Sequence, residues 1–264
     1  MLIFLLLVSL LLYVPFFASF GQDPYLPEKG GNEEFNIKVK HVYQGMCIII
    51  LISDICFNFN IGFYKKGVFI KERKAVALHY LKPYHFFFDL ISVITLIIGF
   101  WTSISNYVAL VFMINFFKVN RIRNKLMFVF SLNGRSFGFV KLMFLSFWVL
   151  YLSHVCACFW FMTALIQIQG EDTGESWLEQ NNLQYKHWLD KYVFSFYFSI
   201  VTIVTVGYGD VTPKNTFEKL VACCFIIVGC FTFGFCINKV GIIIQEWTRD
   251  KEEFKEKIVE IDKY

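Results

Sequence analysis

Charge is scarce in this sequence. Only 17% of its 264 residues are Asp, Glu, Lys or Arg, against about 25% in ordinary soluble domains. The apolar share is correspondingly high, at 56%, with 20% aromatic; no soluble core of this length absorbs so much apolar surface, and disorder is excluded by the same composition. A disulfide or zinc framework is also missing. The cysteines (Cys47, Cys56, Cys156, Cys158, Cys223, Cys224, Cys230, Cys236) all fall in apolar stretches, whereas secreted frameworks put them in loops and zinc sites need paired spacings. They read as small apolar packing residues. The histidines (His41, His79, His85, His154, His187) have no ligand spacing, and His154 reads as a packed or interfacial histidine. There is no P-loop, no HExxH and no nucleophile elbow, no internal repeat and no low-complexity tract. An enzyme is not expected, nor a cofactor, and the net charge of only +4 gives no reason to expect a nucleic-acid partner.

What is present is a set of long apolar runs. Six read as membrane spans, at 2–20, 41–63, 84–100, 103–119, 139–168 and 217–245, since about 20 apolar residues cross a bilayer core of about 30 Å. The first has no basic flank and no A-x-A-like cleavage site, so it reads as a span and not as a signal peptide. A shorter segment, 192–206, leads into glycines and reads as a re-entrant helix. The fold class expected is therefore an all-α membrane protein.

Loop charge sets the orientation. Lys65, Lys66, Lys71, Arg73, Lys74 and Lys82 face a single acid, Glu72, in 64–82, and 118–141 carries Lys118, Arg121, Arg123, Lys125, Arg135 and Lys141 with no acid. Both loops belong in the cytoplasm. The segments 21–40 and 169–191 are acid-rich and belong outside. Both termini are then cytoplasmic, in a multi-pass protein expected in the plasma membrane. Residues 247–264 read as a solvated helix continuing the last span.

The most specific pattern is TIVTVGYGD, Thr202–Asp210. A potassium ion entering a narrow pore must exchange its water shell for other oxygens, and rings of backbone carbonyls can supply them. Carbonyls of an ordinary strand alternate in direction, so aiming consecutive ones at a single axis needs conformations that glycine adopts freely. Gly207 and Gly209 supply them. The carbonyls of Thr205, Val206, Gly207 and Tyr208, with the Thr205 hydroxyl, form the expected ion sites; the Val206 and Tyr208 side chains are expected to brace the wall against the re-entrant helix. The carbonyl end of that helix faces the pore centre and favours a cation. One strand makes a quarter of a ring, so three further identical or related subunits are the expected partners, together with the lipid bilayer.

Residues 192–245 resemble the pore of tetrameric potassium channels, and the chain as a whole is similar to the branch of cyclic nucleotide-gated, hyperpolarisation-activated and ether-à-go-go channels. LISDICFNFNIGFY (Leu51–Tyr64) resembles that branch's second span, with Asp54 at its acidic position. YLKPYHFFFDLIS (Tyr80–Ser92) resembles the start of its third, with Asp89 in the corresponding place, and SHVCACFWF (Ser153–Phe161) resembles its fifth. The resemblance implies a voltage-sensor-like four-helix domain over 1–125, a linker over 126–138, a pore domain over 139–246 and the start of a cytoplasmic linker helix over 247–264. Non-selective members of the branch typically lose the glycines or replace the threonine. Keeping Thr205 and Asp210, with Thr202 as a further support of the filter, implies a potassium-selective pore, with K+ as the permeant ion. The alternatives are a non-selective cation channel and a non-conducting regulatory subunit. No residue here corresponds to the cyclic-nucleotide-binding domain that resembling proteins usually carry, so nucleotide control is not inferred.

The resembling fourth span carries a basic residue at every third position. Here Lys118 and Arg121 are three apart and Lys125 is close to the same face, but the outward steps reach Asn115, Phe112, Ala109 and Asn106. Weak or vestigial voltage sensing is expected. Lys118, Arg121 and Lys125 also lie where the positive-inside rule alone accounts for a basic residue. Asp54 and Asp89 are costly within spans and are expected to pair with Lys118 and Arg121. In the last span, Gly229 and Gly234 are candidates for a gating hinge, with close packing as the other reading of a membrane-helix glycine. Lys239 either snorkels to the interface or lines the inner vestibule.

Overall fold

The computed structural model describes residues 2–21, 33–65, 68–81, 85–101, 137–169 and 176–262. Among them are eight helices and one two-stranded hairpin, divided between two compact units.

The first unit holds α1 (Leu2–Phe20), α2 (Glu33–Asn60), β1 (Phe63–Lys65), β2 (Val68–Ile70), α3 (Arg73–Leu81) and α4 (His85–Trp101). The bounds of α1 and α4 follow the expected spans closely. Helix α1 carries no charge and contains Pro15; the Ser19 hydroxyl donates back to the Pro15 carbonyl at 2.9 Å, which satisfies the buried hydroxyl within its own helix. Helix α2 starts eight residues ahead of the apolar run, because Glu33–Lys40 is polar yet compatible with a helix. It ends at Asn60, where the Asn58 and Asn60 side-chain amides donate to the carbonyls of Asp54 and Cys56 at 2.8 and 2.9 Å.

The basic stretch 64–82 is more than a loop, and the chain is not purely helical. Phe63 pairs with Ile70, Tyr64 with Phe69 and Lys65 with Val68 in an antiparallel hairpin, built from the aromatic and β-branched residues that suit a pleated surface. Helix α3 follows because Val76 and Tyr80, four apart and both buried, give it one face to bury. The span expected at 103–119 and all but the end of the linker expected at 126–138 lie outside the described residues.

The second unit holds α5 (Phe137–Gln169), α6 (Trp177–Gln180), α7 (Trp188–Ile203) and α8 (Thr216–Ile261). Among the described residues, Gly138–Gln167 of α5 and Thr216–Arg249 of α8 are the stretches long and apolar enough to cross a membrane. The solvated extension and the last span form one unbroken helix of 46 residues. Its buried positions Glu218, Ala222, Phe225, Gly229 and Ile243 lie on one stripe.

The core of this unit is aromatic. Trp160 of α5 and Trp177 of α6 are fully buried. Their rings stack at 5.7 Å, and Trp160 stacks on Phe198 of α7 at 4.0 Å. The Trp177 indole N–H donates to the Trp160 carbonyl at 3.3 Å, so the polar edge of the ring is satisfied while its face packs. Helix α6 has no counterpart in the expected elements. It is fixed by a capping box in which the Glu179 N–H donates to the Ser176 hydroxyl and the Ser176 N–H to the Glu179 carboxylate, each at 3.3 Å.

Candidate functional site

Helix α7 carries the filter sequence at its carboxyl end. It begins at Trp188, four residues before the expected 192, because His187 serves as its N-cap: the imidazole Nδ1 accepts the Leu189 N–H at 3.3 Å. Asp190 in the first turn suits the positive end of the helix dipole. The helix stops at Ile203, short of the expected 206. Thr205 N–H donates to the Thr202 carbonyl at 3.1 Å and Val206 N–H to the Val201 carbonyl at 2.9 Å. The Thr202 hydroxyl turns back onto the Phe198 carbonyl at 2.7 Å. Thr202 is thus bonded on both sides of the point where helix gives way to strand.

From there the backbone alternates. Thr205, Gly207 and Gly209 have φ of 61°, 61° and 76°, and the residues between them, Val206 and Tyr208, do not share the positive φ. Reversing the sign at every second residue removes the alternation of a normal strand and can bring successive carbonyls to one side. A Cβ added at Gly207 or Gly209 would meet nothing within 4 Å; these glycines are needed for their conformation and not for space. Thr205 takes the same conformation with a β-branched side chain, an unusual and strained arrangement of the kind held at functional sites. Nothing in its residue type signals this.

Val206 and Tyr208 are 50% and 73% exposed. The backbone beside them is still tied to α7, since the Val206 N–H donates to the Val201 carbonyl at 2.9 Å and the Gly207 N–H to the same carbonyl at 3.4 Å. Asp210 closes the segment. Its carboxylate accepts a hydrogen bond from the Tyr197 hydroxyl, which holds Asp210 below the usual carboxylate range, and its Oδ1 accepts the Val211 N–H at 3.0 Å. Tyr197 is not among the residues that the sequence singles out; the available signal is the second of two phenols, after Tyr192, on the helix preceding the filter.

Gly229 of α8 lies against the base of this segment. An added Cβ would stand 3.0 Å from Ile203 Cα and 3.0 Å from the Thr202 carbonyl oxygen. The structure therefore supports the close-packing reading of this glycine, and α8 continues unbroken through Gly229 and Gly234. Lys239 sits over the Phe235 ring, 5.4 Å from its centroid, a cation–π geometry. His154 is buried as expected, with Nδ1 2.9 Å from the Tyr192 hydroxyl and Nε2 3.8 Å from Cys158 Sγ. Cys56, Cys156, Cys158, Cys223, Cys224, Cys230 and Cys236 are free thiols; Cys156 and Cys158 are buried, while Cys56, Cys223, Cys224 and Cys230 are exposed and do not fill a core within this chain.

In the first unit, Asp54 and Asp89 are both buried. The Tyr80 hydroxyl donates to Asp89 Oδ2 at 2.5 Å. The Tyr80 ring meets Phe59 edge-on at 4.9 Å and Phe86 at 5.9 Å. Lys118, Arg121 and Lys125 lie outside the described residues, as does their expected pairing with the two aspartates.

A family model described as ion transport protein matches residues 1–252. The chain belongs to the ion transport protein family. That family moves ions and is not one of enzymes, and the chain is a membrane protein of the channel type. It is 27% identical over 219 residues to potassium channel AKT1 of Arabidopsis thaliana, covering 78% of this chain and 24% of the relative. It is 22% identical over 258 residues to the voltage-gated inwardly rectifying potassium channel KCNH7 of Mus musculus, covering 92% and 21%. It is 25% identical over 226 residues to the cyclic nucleotide-gated channel cone photoreceptor subunit alpha of Gallus gallus, covering 82% and 29%. The chain thus spans less than a third of the length of these relatives. They fall in the branch that the sequence resembles.

Proposed function

We propose that the chain is the pore-forming subunit of a potassium-selective channel, passing K+ passively through a tetramer in the plasma membrane with both termini cytoplasmic. The observation that carries this reading is the alternating backbone of Thr205–Gly209 at the carboxyl end of α7. In a fourfold ring, the carbonyls of Thr205, Val206, Gly207 and Tyr208 replace the water around a desolvated cation, with Thr202 and Asp210 supporting the strand. The exposure of Val206 and Tyr208 supports a neighbouring subunit as their cover. The domain division proposed is 1–125 sensor-like, 126–138 linker, 139–246 pore and 247–264 cytoplasmic helix.

Voltage sensing in this reading is weak. Lys118, Arg121 and Lys125 are its moving charges, Asp54 and Asp89 their countercharges, and Gly229 and Gly234 the points where the inner helix bends on opening. Each charge crossing the whole field contributes about 2.3 kcal/mol per 100 mV, so few charges give a shallow curve.

The test is oocyte expression of this chain alone, with external sodium exchanged for potassium. A selective pore moves its reversal potential by about 59 mV per tenfold change in external potassium. A reversal potential indifferent to that exchange sinks the selectivity and favours the non-selective reading, to which the similarity to the cone photoreceptor subunit lends support. No barium-sensitive current at all favours a regulatory subunit.

A further inference from the structure

We propose that Glu218 is a positioning residue for the conduction pathway: its buried carboxylate fixes the strand leaving the filter to the outer part of the pore unit. This rests on the filter reading above. Glu218 stands in the first turn of α8 and is completely buried. One carboxylate oxygen accepts the backbone N–H of Trp177 at 3.2 Å. The other accepts the backbone N–H of Lys214 at 2.8 Å, four residues beyond Asp210. The Glu218 N–H donates to Asn215 Oδ1 at 2.7 Å, and the Asn215 amide donates to Gln167 Oε1 at the end of α5.

These bonds gather three pieces of chain around one side chain. Trp177 is locked by its stack on Trp160, which in turn stacks on Phe198 of α7. Lys214 belongs to the short connection between filter and inner helix. The carboxylate joins them at the amino end of α8, where the helix dipole favours a negative charge. Both donors are main-chain groups that any residue but proline supplies, so the identity of residue 218 decides whether the filter's outer end is tied down. A carboxylate can accept both at once. A glutamine offers one acceptor oxygen, and an alanine leaves two buried N–H groups without one.

The test compares the full-length parent with Glu218→Gln and Glu218→Ala, as purified tetramers and in oocytes. Hydrogen exchange read by mass spectrometry reports on the amides of Trp177 and of 211–214. Exchange there rises about tenfold or more in Glu218→Ala and by less in Glu218→Gln, with α5 and α7 unchanged. The potassium-to-sodium permeability ratio falls in the same order, by about tenfold in the alanine variant. Unchanged exchange overturns the proposal. Faster exchange with an unaltered permeability ratio also overturns it, since the residue is then a structural tie only. If the alanine variant does not assemble, Glu218→Gln carries both measurements. A parent whose reversal potential ignores potassium refutes the selectivity reading instead, and the exchange measurement still decides whether the tie exists.

Discussion

Gly229 touches Ile203: the inner helix passes so close to the last residue of α7 that a methyl group on Gly229 would lie 3.0 Å from Ile203 Cα. The neighbouring atoms are backbone, which cannot swing aside. Gly229→Ala is therefore expected to destabilise the pore unit by about 1–3 kcal/mol, the usual cost of overpacking. Gly234→Ala, with nothing within 4 Å of the added atom, should leave stability unchanged or slightly raised. Thermal melting of the two purified variants gives the comparison, and equal losses at both positions would count against the contact.

Tyr80→Phe tests the first unit. The substitution keeps the ring against Phe59 and Phe86 and removes only the hydroxyl that donates to the buried Asp89. A hydrogen bond to a charged group is worth about 1.5–3 kcal/mol, so the melting temperature of the full chain should drop measurably. A variant that melts with the parent shows that Asp89 does not depend on this donor.

The pore was legible in the sequence because its chemistry is local. Gly207 and Gly209 announce the positive φ that aligned carbonyls need, and the long apolar runs announce α1, α4, α5 and α8. What escaped reading depends on longer-range packing or on unusual caps. An imidazole as N-cap is not among the preferred cap residues, so the true start of α7 was hidden. Glu33–Lys40 lacks the apolar run that marked the rest of α2. The hairpin strands at Phe63–Lys65 and Val68–Ile70 are too short to signal periodicity. Helix α6 did leave a trace: Ser176 followed three residues later by Glu179 is a capping-box spacing, masked by the acidic character of the loop around it.

Acid should act on Asp210 late. The Tyr197 hydroxyl holds Asp210 below the ordinary carboxylate value of 3.8. A depressed carboxylate contributes fully above that value, and its contribution fades only as pH falls through the lower, folded-state value. External acidification towards pH 5 should accordingly leave the Asp210 contacts intact. Tyr197→Phe removes the donor, raises the pKa of Asp210 and moves any acid inhibition to higher pH. Recordings over a series of external pH values would test this; identical titration curves for parent and variant would show that the phenol does not control the acid.

Trp177→Ala should be among the most damaging single changes in the pore unit. It empties a fully buried site and removes the ring stacked on Trp160. Truncating a buried tryptophan costs about 3–5 kcal/mol. Trp177→Phe, which keeps a ring but loses the bond to the Trp160 carbonyl, should lose less. Fluorescence-detected size exclusion after a graded heat step ranks the two, and an alanine variant as robust as the phenylalanine one contradicts the stacking account.

Helix α8 runs for 46 residues without a break, about 69 Å at 1.5 Å per residue, more than twice the thickness of a hydrocarbon core. In its carboxyl-terminal half Glu246 forms an ion pair with Lys141 at the start of α5, and Trp247 leans on Gly138. Its amino-terminal part bears Gly229 against Ile203. Because the helix is unbroken, a tug or a twist on its charged carboxyl-terminal part is passed along it to the contact at Gly229. Any partner grasping the charged segment would therefore hold a lever whose other arm rests at the floor of the filter.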